Sequence, residues 1–543
     1  MRKYLHANDF GIFKPLRNFA NLCESLRIFA NRCESLRIFA NLCVSLQTFA
    51  FLPARKTGTR NPARQGDAVA SPEQGARKTE YGHCIAELLD CSIAEFLPAS
   101  GRQEAKKSAL DSGHCRPLQS SAMILSRLQQ SLFDAMEKME IIDAHEHLPD
   151  EKVRLERPAD VFTLFSHYTR LDLRQAGMSE QDYQSLFVRG TPLEVRWKKF
   201  APFWERIRWT CFSRPALIAA ERFYGFNDIN ETTYQGISAA MQQANTPGIY
   251  QRVLRKACNI RTCLTNAYAT DVKSDLLIPV LWPPLMYDVK TWEDLCQPVF
   301  DRQARVSSLD DYLEASKRYL LKVKAEGAVA FKMLSWPLGV PDRQKAEECF
   351  GLLKSGAVKA LDSVGGSGAN PLRDYLADEF IKFAGQNDMV IAVHTGFLST
   401  LRHHHAMDVA PLIMRHPDVR FDVYHVGYPR VREALTLAKC QPNVWINFCG
   451  TFLLAQRFAQ AALDEAIDLL PGSKIIAFGG DYGSTYGVPV EKVYGHLVMA
   501  RETIARVLAK RIEEGQMTQT QAVDLARQWF WDNPKELYRL NLR

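Results

Sequence analysis

The chain has 543 residues, 46% of them hydrophobic and 24% charged, with a formal net charge of +7. Residues 1–122 carry 17 Lys+Arg against 11 Asp+Glu, and the remainder 51 against 50. The near-neutral body has no basic footprint of the kind nucleic-acid binding needs, and no apolar run of roughly 18 residues is present to span a membrane.

Residues 16–45 hold a ten-residue repeat, LRNFANLCES, LRIFANRCES, LRIFANLCVS. Ten residues advance a helix by about 1000°, about 80° short of three turns, so the phenylalanines form no single stripe. A stretch rich in Gly, Pro, Arg and Ser follows, with Gly82-His83-Cys84 echoed by Gly113-His114-Cys115. That spacing matches no common zinc module. The expectation for residues 1–122 is a repetitive, disordered extension, with Met123 a candidate for the true start. Residues 123–543 then form one domain. Six of the 13 cysteines precede residue 123, and the others lack paired spacing, so they read as free thiols of a reducing compartment. Arg2 and Lys3 are not followed by an unbroken apolar stretch, which argues against a secretory signal. The expected compartment is the cytoplasm.

From residue 140 onward short apolar runs recur: 141–143, 260–265, 276–281, 328–334, 389–393, 419–424, 444–448 and 474–478. Each has the nearly all-apolar character of a strand buried on both faces. Amphipathic stretches at 310–326, 372–386 and 453–470 predict helices between them. Eight strands alternating with helices point to an α/β chain folded as a (β/α)₈ TIM barrel. About 110 residues (148–259) separate the first two strands, too many for an ordinary loop. This segment, rich in Trp, Tyr and Arg, predicts a helical insertion over the C-terminal mouth of the barrel, where barrel active sites lie.

The strand ends carry the chemistry. Strand one ends in His145-Glu146-His147, whose imidazoles two residues apart face one side. Strand five ends in His394, strand six in His425-Val426-Gly427, and strand eight in Gly479-Gly480-Asp481. Each alone reads as a satisfied polar residue; five together at C-terminal strand ends predict a metal site. His145, His147, His394 and Asp481 suit zinc first, or manganese or iron, with a position left open for water.

The set Asp143-Ala-His145-Glu-His147, His394, His425 and Asp481 resembles the amidohydrolase superfamily, especially its amidohydrolase-related (type 2) branch, over about residues 138–543. The resemblance implies metal ligation by His145, His147, His394 and Asp481. It makes His425 either a ligand to a second metal or a catalytic group beside the first. Lys332 stands where some members carry a carboxylated lysine bridging two metals; an ordinary pocket cation is the preferred reading, and one metal per chain the working number. The implied reaction is hydrolysis of a C–N or C–O bond in a small polar or carboxylate substrate, with Asp481 and His425 as catalytic groups.

A more distant resemblance is to uronate isomerases, in the Asp143-to-Leu148 start, the long insertion and the His-Val-Gly of strand six. The eighth strand, Gly-Gly-Asp481-Tyr-Gly-Ser-Thr-Tyr, lacks the Asp-Ser-Arg-Ser expected of that activity. A type 2 decarboxylase is the other enzymatic alternative, and a metal-stabilised scaffold the non-enzymatic one. Arg170, Trp336, Tyr428 and Arg430 are candidate substrate contacts, with Arg402 a further cation for a carboxylate. The His403-His404-His405 loop reads as a solvated cluster, and Gly365-Gly366-Ser367-Gly368 as a turn without a phosphate-loop context. The expected partner is a small molecule, with no nucleic acid or membrane, and self-association is a prior for barrels.

Overall fold

The computed structural model describes residues 124–267, 274–282, 284–298, 300–361, 370–396, 404–483 and 485–542. The repeat-bearing extension, the Gly365–Gly368 turn, Arg402 and His403 lie outside the described residues.

Helix α1 (Arg127–Glu137) opens with a reciprocal capping box at Ser126 and buries Leu132 and Met136. The strands follow as β1 (Ile141–Glu146), β2 (Ile260–Ala267), β3 (Leu277–Leu281), β4 (Ala330–Leu334), β5 (Val390–His394), β6 (Phe421–Tyr424), β7 (Val444–Asn447) and β8 (Ile475–Ile476). They form one eight-stranded sheet in sequence order, every neighbour pair parallel. Past β8, the Phe478 carbonyl accepts from the Ala144 N–H at 3.0 Å, which ties the last strand back to β1. The molecule is the (β/α)₈ barrel expected from the alternation of elements.

Alternation along the strands sorts the side chains. Ile142, Ala144, Leu264, Val280, Ala330, Val390, Ala392, Tyr424 and Ile476 fill the barrel, and Phe331, Ile391, Val393, Val423 and Ile446 pack outward beneath the helices. The same period of two turns Lys332 on β4 and His394 on β5 toward the interior side.

The insertion is helical, including α2 (Leu193–Ile207), α3 (Arg214–Tyr224) and α4 (Tyr234–Ala244). It has its own core of Phe162, Phe165, Trp197, Phe200, Trp204, Tyr234 and Met241. Beyond it, α5 (Leu309–Ala325) and α6 (Pro371–Gln386) lie within two residues of the predicted helices. The third differs. The stretch expected to run unbroken over 453–470 is a short turn, Thr451–Leu454, and then α7 (Gln456–Leu469), parted by an extended Ala455 (φ −167°). The break turns Gln456 inward, where its carbonyl accepts from Arg214 and its amide donates to the Met499 carbonyl.

The long α8 (Glu491–Glu513) is buried along much of its length between insertion and barrel. All seven cysteines after residue 123 are free thiols. Among the described residues no helix is long and apolar enough to cross a membrane.

Candidate metal centre

The ends of β1 and β8 meet. His145 Nε2 lies 3.1 Å and His147 Nε2 3.5 Å from Asp481 Oδ1. Among the described residues these three side chains form the one group of His, Cys, Asp or Glu whose ligand atoms all fall within 4.8 Å of one another. His145 and Asp481 are buried, whereas the His147 side chain keeps 36% of its exposure, so the group opens toward solvent on the His147 side.

Lys332 Nζ stands 3.3 Å from His145 Nε2 and 3.5 Å from His147 Nε2, beneath the Trp282 and Tyr424 rings. The same two imidazole nitrogens thus face both the Lys332 ammonium and Asp481 Oδ1. His145 Nδ1 is buried with no hydrogen-bond partner. Two imidazole nitrogens and a carboxylate oxygen turned toward one region form a donor set that fits a divalent cation.

The electrostatics agree. Burial, and then the Lys332 charge, pull His145 down to about 3 and hold His147 well below the ordinary imidazole range, so both stay neutral. Burial raises the Asp481 carboxyl, but the His145, His425 and His147 imidazoles and the His145 hydrogen bond outweigh it and keep the group ionised. Burial brings Lys332 down to about 8.

His394 stands beside this group, on His425. The Cys449 carbonyl lies 2.8 Å from His425 Nδ1 and can only accept, so that nitrogen carries the hydrogen. With the ring neutral, His425 Nε2 accepts from His394 Nδ1 at 3.0 Å. The arrangement occupies both nitrogens of His425 and leaves the Nε2 lone pair of His394 free of that bond.

The other residues singled out in the sequence are placed as follows. Trp336 is buried after β4, edge-on to His404 at 4.3 Å between ring centres. Far from a solvated loop residue, His404 is itself fully buried, 6.0 Å from the His394 ring. Tyr428 packs on Phe458. Arg170 sits on the insertion surface in a two-pronged pair with Glu180 at 2.8–3.1 Å, and Arg430 pairs with Glu433 at 3.2 Å.

Sequence reasoning missed the insertion's direct part in the site. The Tyr168 hydroxyl donates to Asp481 Oδ2 at 2.5 Å, and its ring stacks on Phe212. His167 lies 6.5 Å from His147 between ring centres, and burial lowers it to about 4. Asn266 on β2 approaches His147 Nε2 at 3.3 Å. No local pattern marks these residues; an adjacent imidazole and phenol in an aromatic-rich insertion was the only signal.

The family model described as Amidohydrolase matches residues 311–540. Protein fluG of Emericella nidulans is 26% identical over 183 residues, 32% of this chain. The match spans 20% of that protein's length. Among solved structures, a uronate isomerase from Thermotoga maritima shares 18% identity at a TM-score of 0.60, covering 76% of this chain and 98% of its own. A glucuronate isomerase from Caulobacter crescentus shares 17% at 0.61, covering 78% and 98%. A Lactobacillus casei protein assigned as a metal-dependent hydrolase shares 17% at 0.52, covering 75% and 97%. These structural likenesses establish the fold. The family match over residues 311–540 bears out the resemblance to the amidohydrolase superfamily.

Proposed function

We propose that the chain is a metal-dependent hydrolase that cleaves a C–N or C–O bond of a small polar or carboxylate substrate. The observation that carries this reading is the convergence of His145 Nε2, His147 Nε2 and Asp481 Oδ1 at the barrel mouth, with His394 alongside. A divalent metal, zinc first among those this donor set suits, would there supply Lewis acidity and draw the pKa of water toward neutrality.

The chain's own groups do the rest. Asp481, ionised and tethered by Tyr168, takes a proton from water and passes it to the leaving group. Lys332 brings a positive charge toward the oxygen that becomes negative as the substrate carbonyl is attacked. His425, with its two nitrogens engaged, orients His394. The insertion, reaching the site through His167 and Tyr168, shields it from bulk water.

His145→Ala and Asp481→Ala are expected to lose the bound metal and all measurable turnover on a panel of amides, esters and lactones, with an unchanged far-UV circular dichroism spectrum. Retained turnover in either variant would refute the assignment.

A second reading is isomerisation of a sugar acid. It is favoured by the hydroxyl–carboxylate pair of Tyr168 and Asp481, which suits proton movement between adjacent carbons, and by the isomerases among the structural neighbours. Solvent deuterium appearing in a recovered hexuronate, without bond cleavage, would select it over hydrolysis.

A further inference from the structure

Asp481 is carried by backbone that no strand ladder supports. β8 ends at Ile476, and Asp481 has a φ of 62°, a left-handed conformation that persists in a non-glycine residue only when its surroundings impose it. Four polar groups of the peptides around it are captured. The Asp481 N–H donates to the His145 carbonyl at 3.0 Å. The Gly480 N–H donates to Asp143 Oδ1 at 3.1 Å, and the Gly480 carbonyl accepts from His496 Nδ1 at 3.1 Å. The Tyr482 N–H donates to Glu146 Oε2 at 2.7 Å.

Asp143 and Glu146 are fully buried, and among the described residues no cationic side chain is bonded to either. Their remaining oxygens, Asp143 Oδ2 and Glu146 Oε1, have no protein N–H donor. Both lie against Gly480: a β-carbon there would sit 1.8 Å from Glu146 Oε1 and 3.2 Å from Asp143 Oδ2. Two buried carboxyl groups thus face each other across a glycine that only a hydrogen atom on its α-carbon allows, and each holds one of the peptides flanking Asp481.

We propose that Asp143 and Glu146 are positioning residues that set the reach of Asp481 toward His145 and His147. The proposal rests on the metal reading above. In it, the five residues from Asp143 to His147, at the end of β1 and just beyond it, supply both the imidazoles and the clamp that presents the carboxylate to them. Neither clamp residue belongs to the ligand group, and each acts on it through the β8 backbone. Without Glu146 the Tyr482 N–H loses its acceptor, the left-handed turn relaxes, and Asp481 Oδ1 draws away from the two Nε2 atoms.

The test is the zinc dissociation constant of the full-length, metal-stripped protein, read by competition with a chromophoric chelator, with the melting temperature of the metal-free form alongside. Glu146→Ala is expected to weaken zinc binding by about 10–100-fold, the usual effect of losing a group that holds a ligand in place. Glu146→Gln is expected to restore affinity to within about threefold, because its carbonyl accepts from Tyr482 while its amide donates to Asp143. Gly480→Ala, which keeps the carboxylate but pushes it aside, is expected to weaken binding as Glu146→Ala does, and serves if that variant does not fold. Unchanged affinity in Glu146→Ala, or no rescue by Gln, overturns the clamp alone. A wild-type chain that binds no zinc overturns the metal reading and the clamp with it.

Discussion

Among the described residues, eight non-glycine residues have left-handed backbone, and five of them, His167, His404, His425, Val426 and Asp481, lie in or against the site. Such residues are rare and strained, and their concentration at one end of the barrel marks where the fold accepts local cost for geometry. Tyr168 follows the first of them, and its role can be separated cleanly. Phenylalanine at position 168 would keep the ring stack on Phe212, at 5.3 Å between centres, and remove only the hydroxyl that donates to Asp481. Tyr168→Phe is therefore expected to lower kcat by about 10–100-fold at saturating metal, with little change in melting temperature. An unaltered kcat would reduce Tyr168 to packing.

At the scale of elements, the strands were legible because a strand buried on both faces must be a short apolar run, and each observed strand overlaps its predicted run. The chemistry at their ends was legible for the same reason: His145, His147, Lys332, His394 and Asp481 interrupt apolar sequence where only function or a partner excuses them. What periodicity could not show is which part of a 110-residue insertion reaches back to the mouth, because that depends on docking between distant segments. The docking surface is α3 against α8. There Arg214 pairs with Glu502 at 2.8 Å, Arg154 from the start of the insertion pairs with Glu491 of α8 at 2.7 Å, and Gly495 lets the helices touch. A β-carbon at position 495 would meet the Pro215 carbonyl oxygen at 2.5 Å and its α-carbon at 2.6 Å. Gly495→Ala gains about 1 kcal/mol of helix propensity. Overpacking against backbone costs about 1–3 kcal/mol, and the ion pairs keep the helices from moving apart. The net expectation is a lower melting temperature, and a higher one would show that this interface yields.

Across the whole molecule the two ends of the barrel do different work. The mouth holds the His145, His147 and Asp481 group, while residues 537–540 close the opposite end, where Leu537, Tyr538 and Leu540 pack on the interior residues of the strands. At that end the Tyr538 hydroxyl donates to Asp422 Oδ2 at 2.6 Å, and the Asn447 amide donates to the same oxygen at 2.9 Å. Burial nonetheless raises the Asp422 carboxyl from 3.8 to about 7, outweighing these two bonds. An unfolded aspartate titrates near 3.9, so between about pH 4 and 7 the folded chain keeps a proton that the unfolded chain has released. Stability from this group is complete below that window, falls as pH rises through it, and levels off above about 7. The total loss is on the order of a few kcal/mol. Asp422→Asn keeps an acceptor for Tyr538 and Asn447 and cannot ionise. The variant's melting temperature relative to wild type is expected to rise between pH 5 and pH 8, while zinc affinity at the far end stays the same. A difference that does not change with pH would mean that Asp422 is ionised in the fold throughout, and that the plug, instead of holding a neutral acid, stabilises a buried charge.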